Sequence, residues 1–263
     1  MDAEPHSTTD LPPPPTAVGA GGLALFLDVD GTLLEISETP DSVWVSSNLI
    51  ALLRRAHDTL GGALALVSGR SVEDLDRLFR PLILPAAGLH GLEIRPRVEA
   101  AVTGHELADD LAQEKDRLIA QFIDAPGIVI EDKGPCLALH YRRNPDLKAP
   151  LQAAAEEALG RLGGGFQIIA GNMVFELKPA AANKGSAVRA FMATGAFRGR
   201  RPVMIGDDVT DEDAFGVVND MDGLAVCVGG RRPTAARHGL ADVGQVHAWL
   251  QDICGATPSR TLD

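Results

Sequence analysis

Positive charge is in short supply in this chain of 263 residues: Lys and Arg together number 24 against 36 Asp and Glu, a formal net charge of −12. That deficit argues against nucleic acid or an anionic membrane as the main partner, since each would be repelled over most of the surface. A phosphorylated ligand would need a local cation or a few converging Lys and Arg. Cysteine is scarce too. Cys136, Cys227 and Cys254 are odd in number and irregularly spaced, which fits neither a disulfide framework nor a zinc site and points to free thiols in a reducing cytosol. Also missing are any stretch near the ~18 apolar residues of a membrane span and, at the N-terminus, a basic segment ahead of an apolar core. The expectation is a globular, cytoplasmic protein, and its 45% hydrophobic content is ample for a core.

What is present is an alternation of short apolar runs and amphipathic stretches. Residues 1–21, with the run Pro12 to Pro15, read as a disordered tail, as do 255–263 at the other end. From Leu23 the pattern predicts strand 23–28, helix 46–60, strand 63–67, helix 71–79 and strand 82–87, the rhythm of parallel βαβ units. The first helix carries Leu49, Ile50, Leu52, Leu53 and Ala56 on one face and stops at Gly61-Gly62. The character then changes. After a short extended piece at 92–95 come a helix at 105–123, strands 128–131 and 136–142, a helix at 147–162, and strands 166–170 and 173–177 across the turn Gly171-Asn172. The βα rhythm returns with helix 184–194, strand 202–206, helix 211–218, strand 223–228 and helix 244–252. The prediction is a discontinuous Rossmann-like α/β core, 22–96 and 177–254, interrupted by an α+β module at 97–176.

The first strand ends in Asp28-Val29-Asp30-Gly31-Thr32. Alternation puts Asp28 and Asp30 on one side, and Gly31 permits a sharp bend after them. Two such carboxylates can hold a hard cation or divide nucleophilic and acid/base work; a solvated Asp-rich turn is the plainer reading. Three further segments bear on the choice: Ser68-Gly69-Arg70 after the second strand, Asn183-Lys184-Gly185 opening a helix, and Gly206-Asp207-Asp208-Val209-Thr210-Asp211-Glu212-Asp213. Singly these could be an ordinary turn, an exposed lysine and a helix start favoured by the dipole. In an open parallel sheet, all four would face one crevice.

These four segments, in this order, resemble the motifs of the haloacid dehalogenase (HAD) superfamily of phosphotransferases, with a cap inserted between the second and third. Within it, Ile36 through Pro40-Asp41, the run Glu131-Asp132-Lys133-Gly134 leading to His140-Tyr141-Arg142, and the GDDVTDEDAF form of the last motif are similar to the trehalose-6-phosphate phosphatase family. The resemblance implies a HAD core with an α+β cap and a Mg²⁺-dependent phosphatase acting on a small-molecule sugar phosphate. It implies Asp28 as nucleophile, Asp30 as proton shuttle, Ser68 and Lys184 on the phosphoryl group, and Mg²⁺ held by Asp28, Asp207 and the backbone carbonyl of Asp30. Asp208 and Asp211 would orient the metal's water ligands. For the sugar, Lys133 and Glu176 lead, followed by Glu131, His140, Arg142, Arg70, His90 and Glu93; alternation alone would also explain Glu176 as an outward-facing strand residue. A phosphatase for another sugar phosphate such as sucrose phosphate, a phosphohexomutase and a non-catalytic regulatory module stay open at this level, as does the oligomeric state.

Overall fold

The computed structural model describes residues 10–16, 22–36, 44–104, 109–171, 173–180, 182–231 and 233–255. The strands are β1 (Leu23–Leu27), β2 (Leu64–Val67), β3 (Ala86–Gly88), β4 (Glu93–Arg95), β5 (Thr103–Gly104), β6 (Val129–Asp132), β7 (Leu137–His140), β8 (Phe166–Gly171), β9 (Val174–Pro179), β10 (Arg201–Gly206), β11 (Leu224–Val228) and β12 (His238–Leu240). The helices are α1 (Ser47–Thr59), α2 (Val72–Leu78), α3 (Asp109–Gln121), α4 (Lys148–Leu162), α5 (Lys184–Met192), α6 (Glu212–Asp220) and α7 (Val243–Gly255). They fall into two compact units, Met1–Val102 with Asn183–Asp263, and Thr103–Ala182. The inserted unit thus begins and ends a few residues later than the expected 97–176.

In the first unit the strands run β12-β11-β10-β1-β2-β3-β4, parallel except for the antiparallel β3–β4 pair. Every residue of β1, β2 and β11 is buried. Helices cover both faces of such a sheet, which is why these strands are unbroken apolar runs rather than alternating ones. Phe26 on β1 stacks on Phe197 at 5.5 Å between ring centroids and tilts against Phe191 of α5 at 5.8 Å. Local signals set the helix starts: Ser46 and Ser71 accept backbone N–H bonds from Leu49 and Asp74, and Asn183 forms a reciprocal capping box with Ser186. The chain leaves β1 toward β2 on one side and returns through β10 on the other. The sheet order therefore reverses between β1 and β10, whose carboxyl ends lie side by side, with Asp28 N–H donating to the Ile205 carbonyl at 3.0 Å.

Part of the expected tail is packed. Leu11 lies against the core, Pro14 is buried, and the Pro12 carbonyl accepts from Gly239 N–H of the edge strand β12 at 3.0 Å. Pairing that edge donor and burying apolar surface offset the ordering of residues 10–16; the rest of the expected tails, 1–9, 17–21 and 256–263, lies outside the described residues. So do most of the Ile36-to-Asp41 feature and Asn172 of the expected turn.

The second unit has its own sheet, β6-β7-β9-β8, antiparallel throughout. It also has its own core, in which Leu137, Leu139, Phe175 and Leu177 of the sheet meet Leu111 and Leu118 of α3 and Leu151 and Ala155 of α4. Tyr141 stacks on Phe175 at 5.2 Å. Glu114 of α3 is buried and accepts from Arg161 of α4 at 2.9 and 3.0 Å and from Arg117, tying the two helices together.

Candidate active site

Adjacent parallel strands deliver two carboxylates to one place, Asp28 one residue past β1 and Asp207 one residue past β10. Gly31 makes their approach possible: its φ is +83°, and a Cβ there would stand 2.2 Å from Asp207 Oδ2. Thr32 Oγ1 donates to Asp207 Oδ1 at 3.0 Å. Behind this pair, the capped start of α5 projects Lys184 inward. Its Nζ donates to Asp28 Oδ1 at 2.9 Å and to Asp211 Oδ1 at 2.7 Å, and all three side chains are buried. The other oxygen of Asp211 accepts from the Asp208 N–H at 2.9 Å, closing the short turn Val209–Asp211 that leads into α6.

Asp28, Asp207 and Asp211 each offer an oxygen within 4.8 Å of the others. Asp28 and Asp211 thus share one ammonium, with the half-buried Asp207 close beside them. Burial, then the charge of Asp211, pushes Asp207 up to about 6 and Asp28 well above its ordinary range, Lys184 opposing the rise in each case. For Lys184 burial acts downward, but Asp211 and Asp28 outweigh it and hold it above the usual lysine value. Surplus negative charge on hard oxygen donors suits a divalent cation with oxygen ligands.

The remaining candidates of this unit surround that centre. Ser68 is buried at the end of β2, and its Oγ accepts from Arg70 N–H at 3.2 Å. Arg70 donates from Nε to Asp30 Oδ2 at 2.7 Å and from Nη2 to Oδ1 at 2.6 Å, a two-pronged fork on the second carboxylate of the opening turn. His90, at φ 55° and ψ 36°, donates its N–H to the Ser68 carbonyl at 2.9 Å and lays its ring over Gly69, where a Cβ would be 2.7 Å from Nε2. Glu93 accepts from Val72 N–H at 2.7 Å, an anion at the first turn of α2. Asp208 serves as the cap of the Val209–Asp211 turn, and Thr210 Oγ1 donates to it at 3.3 Å. Asp211, expected to orient the metal's water ligands, is fully buried and accepts from Lys184 at 2.7 Å.

Two contributors escaped the sequence reading as site residues. Thr32 stands in the quoted motif without an assigned role, although it is the side-chain donor to Asp207. Arg231 follows β11; its Nε donates to the Asp207 carbonyl at 3.0 Å, and its Nη2 binds Glu212 at the start of α6. Position at a strand's carboxyl end, after Gly229-Gly230, was the signal available for it.

In the second unit Lys133 Nζ donates to Glu176 Oε1 at 2.9 Å, and His140 Nε2 lies 2.8 Å from Glu131 Oε2. Glu176 sits opposite Ala138 on β7 and Ile169 on β8 and is buried, so outward alternation does not account for it. Burial lowers the Lys133 pKa, but the Glu176 charge more than reverses this. The His140 bond outweighs burial to hold Glu131 below its ordinary value. Arg142 is exposed. Burial, helped by Glu176, pushes the Cys136 thiol up to about 12, which leaves it protonated and unreactive.

Residues 26–243 match the family model described as trehalose-phosphatase. The chain belongs to the trehalose-phosphatase family. It is 45% identical over 233 residues to a probable trehalose-phosphate phosphatase of Sinorhizobium fredii, covering 89% of this chain and 86% of that one. Its identity to the trehalose-6-phosphate phosphatase of Escherichia coli is 39% over 240 residues, 90% and 88% of the two chains. The crystal structure of a trehalose-6-phosphate phosphatase related protein superposes with a TM-score of 0.72 at 29% identity, covering 88% of this chain and 96% of that one. The fold is shared with a phosphatase of the HAD superfamily from Bacteroides thetaiotaomicron, at a TM-score of 0.62 and 17% identity, covering 91% of this chain and 97% of that one. Membership of the family makes the chain a phosphoric monoester hydrolase whose substrate is a sugar phosphate. Among the described residues no helix is long and apolar enough to cross a membrane.

Proposed function

We propose that the chain hydrolyses trehalose 6-phosphate to trehalose and phosphate by two in-line displacements at phosphorus, with Asp28 as the nucleophile of the first and the leaving group of the second. The observation that carries the reading is the convergence of Asp28, Asp207 and Asp211 on Lys184 at the point where the sheet order reverses. Mg²⁺ fits the surplus charge of this cluster, with the side chains of Asp28 and Asp207 and the Asp30 carbonyl to hold it. When bound it supplies neutralisation of the phosphoryl oxygens.

In the first displacement an Asp28 oxygen bonds to phosphorus as the P–O bond to the sugar breaks. The electron pair leaves on the sugar oxygen, which takes the proton of the Asp30 carboxyl. Ser68 donates a hydrogen bond to a phosphoryl oxygen, and Lys184 offsets the charge that Asp28 and the phosphoryl group bring together. In the second displacement water bonds to phosphorus and gives its proton to Asp30, while the acyl phosphate bond breaks and its pair returns to Asp28. Acid–base help of this kind is worth about 10² to 10⁴-fold. Lys133 and Glu176, with Glu131, His140 and Arg142, supply polar groups for the sugar hydroxyls. With its three free thiols the enzyme belongs in the reducing cytoplasm.

The test is phosphate release from trehalose 6-phosphate, sucrose phosphate and hexose monophosphates, each with and without Mg²⁺. Release from trehalose 6-phosphate that requires Mg²⁺ is expected; release from hexose monophosphates alone would overturn the disaccharide assignment.

A further inference from the structure

Resting on that reading, we infer that Arg70 is a positioning residue for the proton shuttle: it acts through Asp30, fixing the carboxyl that serves the leaving oxygen, rather than as a ligand of the sugar. A carboxylate on a turn has two free torsions, and a single hydrogen bond leaves its plane undetermined. The Nε and Nη2 donors of Arg70 take one Asp30 oxygen each, at 2.7 and 2.6 Å, which fixes that plane. The fork is itself anchored. The Arg70 carbonyl accepts from Leu89 N–H at 2.9 Å, its amide donates to Ser68 Oγ at 3.2 Å, and its side chain is only 15% exposed. Because that amide occupies one acceptor site of the Ser68 oxygen, the hydroxyl proton is directed elsewhere. One residue therefore orients both the phosphoryl donor Ser68 and the shuttle Asp30. Proton transfer needs one Asp30 oxygen to leave the fork, take up a proton from solvent and turn toward the sugar oxygen, the other staying on Arg70 as the pivot.

Leaving-group dependence separates this role from a merely structural one, and the Asp30→Asn background separates it from binding of the sugar, which the nitrophenyl ester also lacks. A sugar alkoxide needs a proton as it departs, whereas nitrophenolate is a stable anion and does not. The constant kcat/KM reports the steps up to leaving-group departure. It would be measured on trehalose 6-phosphate and on p-nitrophenyl phosphate for the wild-type chain, Arg70→Lys, Arg70→Gln, Asp30→Asn and the Asp30→Asn/Arg70→Gln double variant. Arg70→Lys keeps a charge but not the fork, so its loss on the sugar phosphate should exceed its loss on the nitrophenyl ester by about 10-fold or more. In the Asp30→Asn background Arg70→Gln should add less than about twofold. Equal losses on both esters, or a full further loss in the double variant, would overturn the inference while leaving the phosphatase reading standing. A wild-type chain that releases phosphate from neither ester would overturn that reading and the inference with it.

Discussion

Lys184 Nζ stands 2.9 Å from Asp28 Oδ1 with both side chains enclosed, an ion pair at the reacting end of the central strand. Its second bond, 2.7 Å to Asp211, sets one ammonium between two buried carboxylates, with the half-buried Asp207 beside them.

Lys184→Met keeps the length of the side chain and removes the charge. It leaves carboxylates buried without their partner, a loss of about 3–5 kcal/mol, and takes away the charge that lets Asp28 approach an anion. The expected outcome is a lower Tm together with at least about a 10³-fold loss of kcat, measured by thermal melting and phosphate release; a stable variant with unchanged kcat would remove Lys184 from the chemistry.

Glu176 is a buried carboxylate in a strand, held by a lysine 43 residues away in sequence. Glu176→Ala should leave Lys133 unpaired and cut kcat/KM for trehalose 6-phosphate by about 10- to 100-fold, with a smaller loss on p-nitrophenyl phosphate, which has no sugar to recognise. An unchanged kcat/KM for the sugar phosphate would take Glu176 off the substrate.

Glu114 gives the inserted unit a pH dependence of its own. Burial works to raise its pKa, but the bonds from Arg161 and the charges of Arg161 and Arg117 win, and the folded-state value lies below the ordinary one. A carboxylate depressed by folding adds stability that is present above its unfolded pKa, about 4.3, and is lost as pH falls through the lower folded value. Glu114→Gln should therefore destabilise by about 1–2 kcal/mol at neutral pH. The gap to wild type should close as the pH drops below about 4. Denaturant melts across pH 3 to 8 measure it, and a gap that widens on acidification would contradict the argument.

These residues also mark how far the sequence could be read. The central strands were legible because burial on both faces turns them into unbroken apolar runs such as Leu23–Leu27, and the helix starts because Ser46, Ser71 and Asn183 announce them. β12, three residues containing His238 and Gly239, has no such pattern and exists through its partner β11. At the site, carboxylates at strand exits stand out against apolar neighbours, so Asp28 and Asp207 were legible. The Arg70 fork, the Arg231 bond to a carbonyl and the burial of Glu176 depend on partners distant in sequence, which spacing along the chain does not encode.

The claim that everything else serves is that Asp28 attacks the phosphorus of trehalose 6-phosphate. Its most direct test is kcat/KM for that substrate, in Mg²⁺, for the wild-type chain and Asp28→Asn, with circular dichroism to show that both are folded. The account predicts phosphate release by the wild type and a loss of at least about 10³-fold in the folded variant; a folded Asp28→Asn chain that hydrolyses trehalose 6-phosphate at a substantial fraction of the wild-type rate would contradict it.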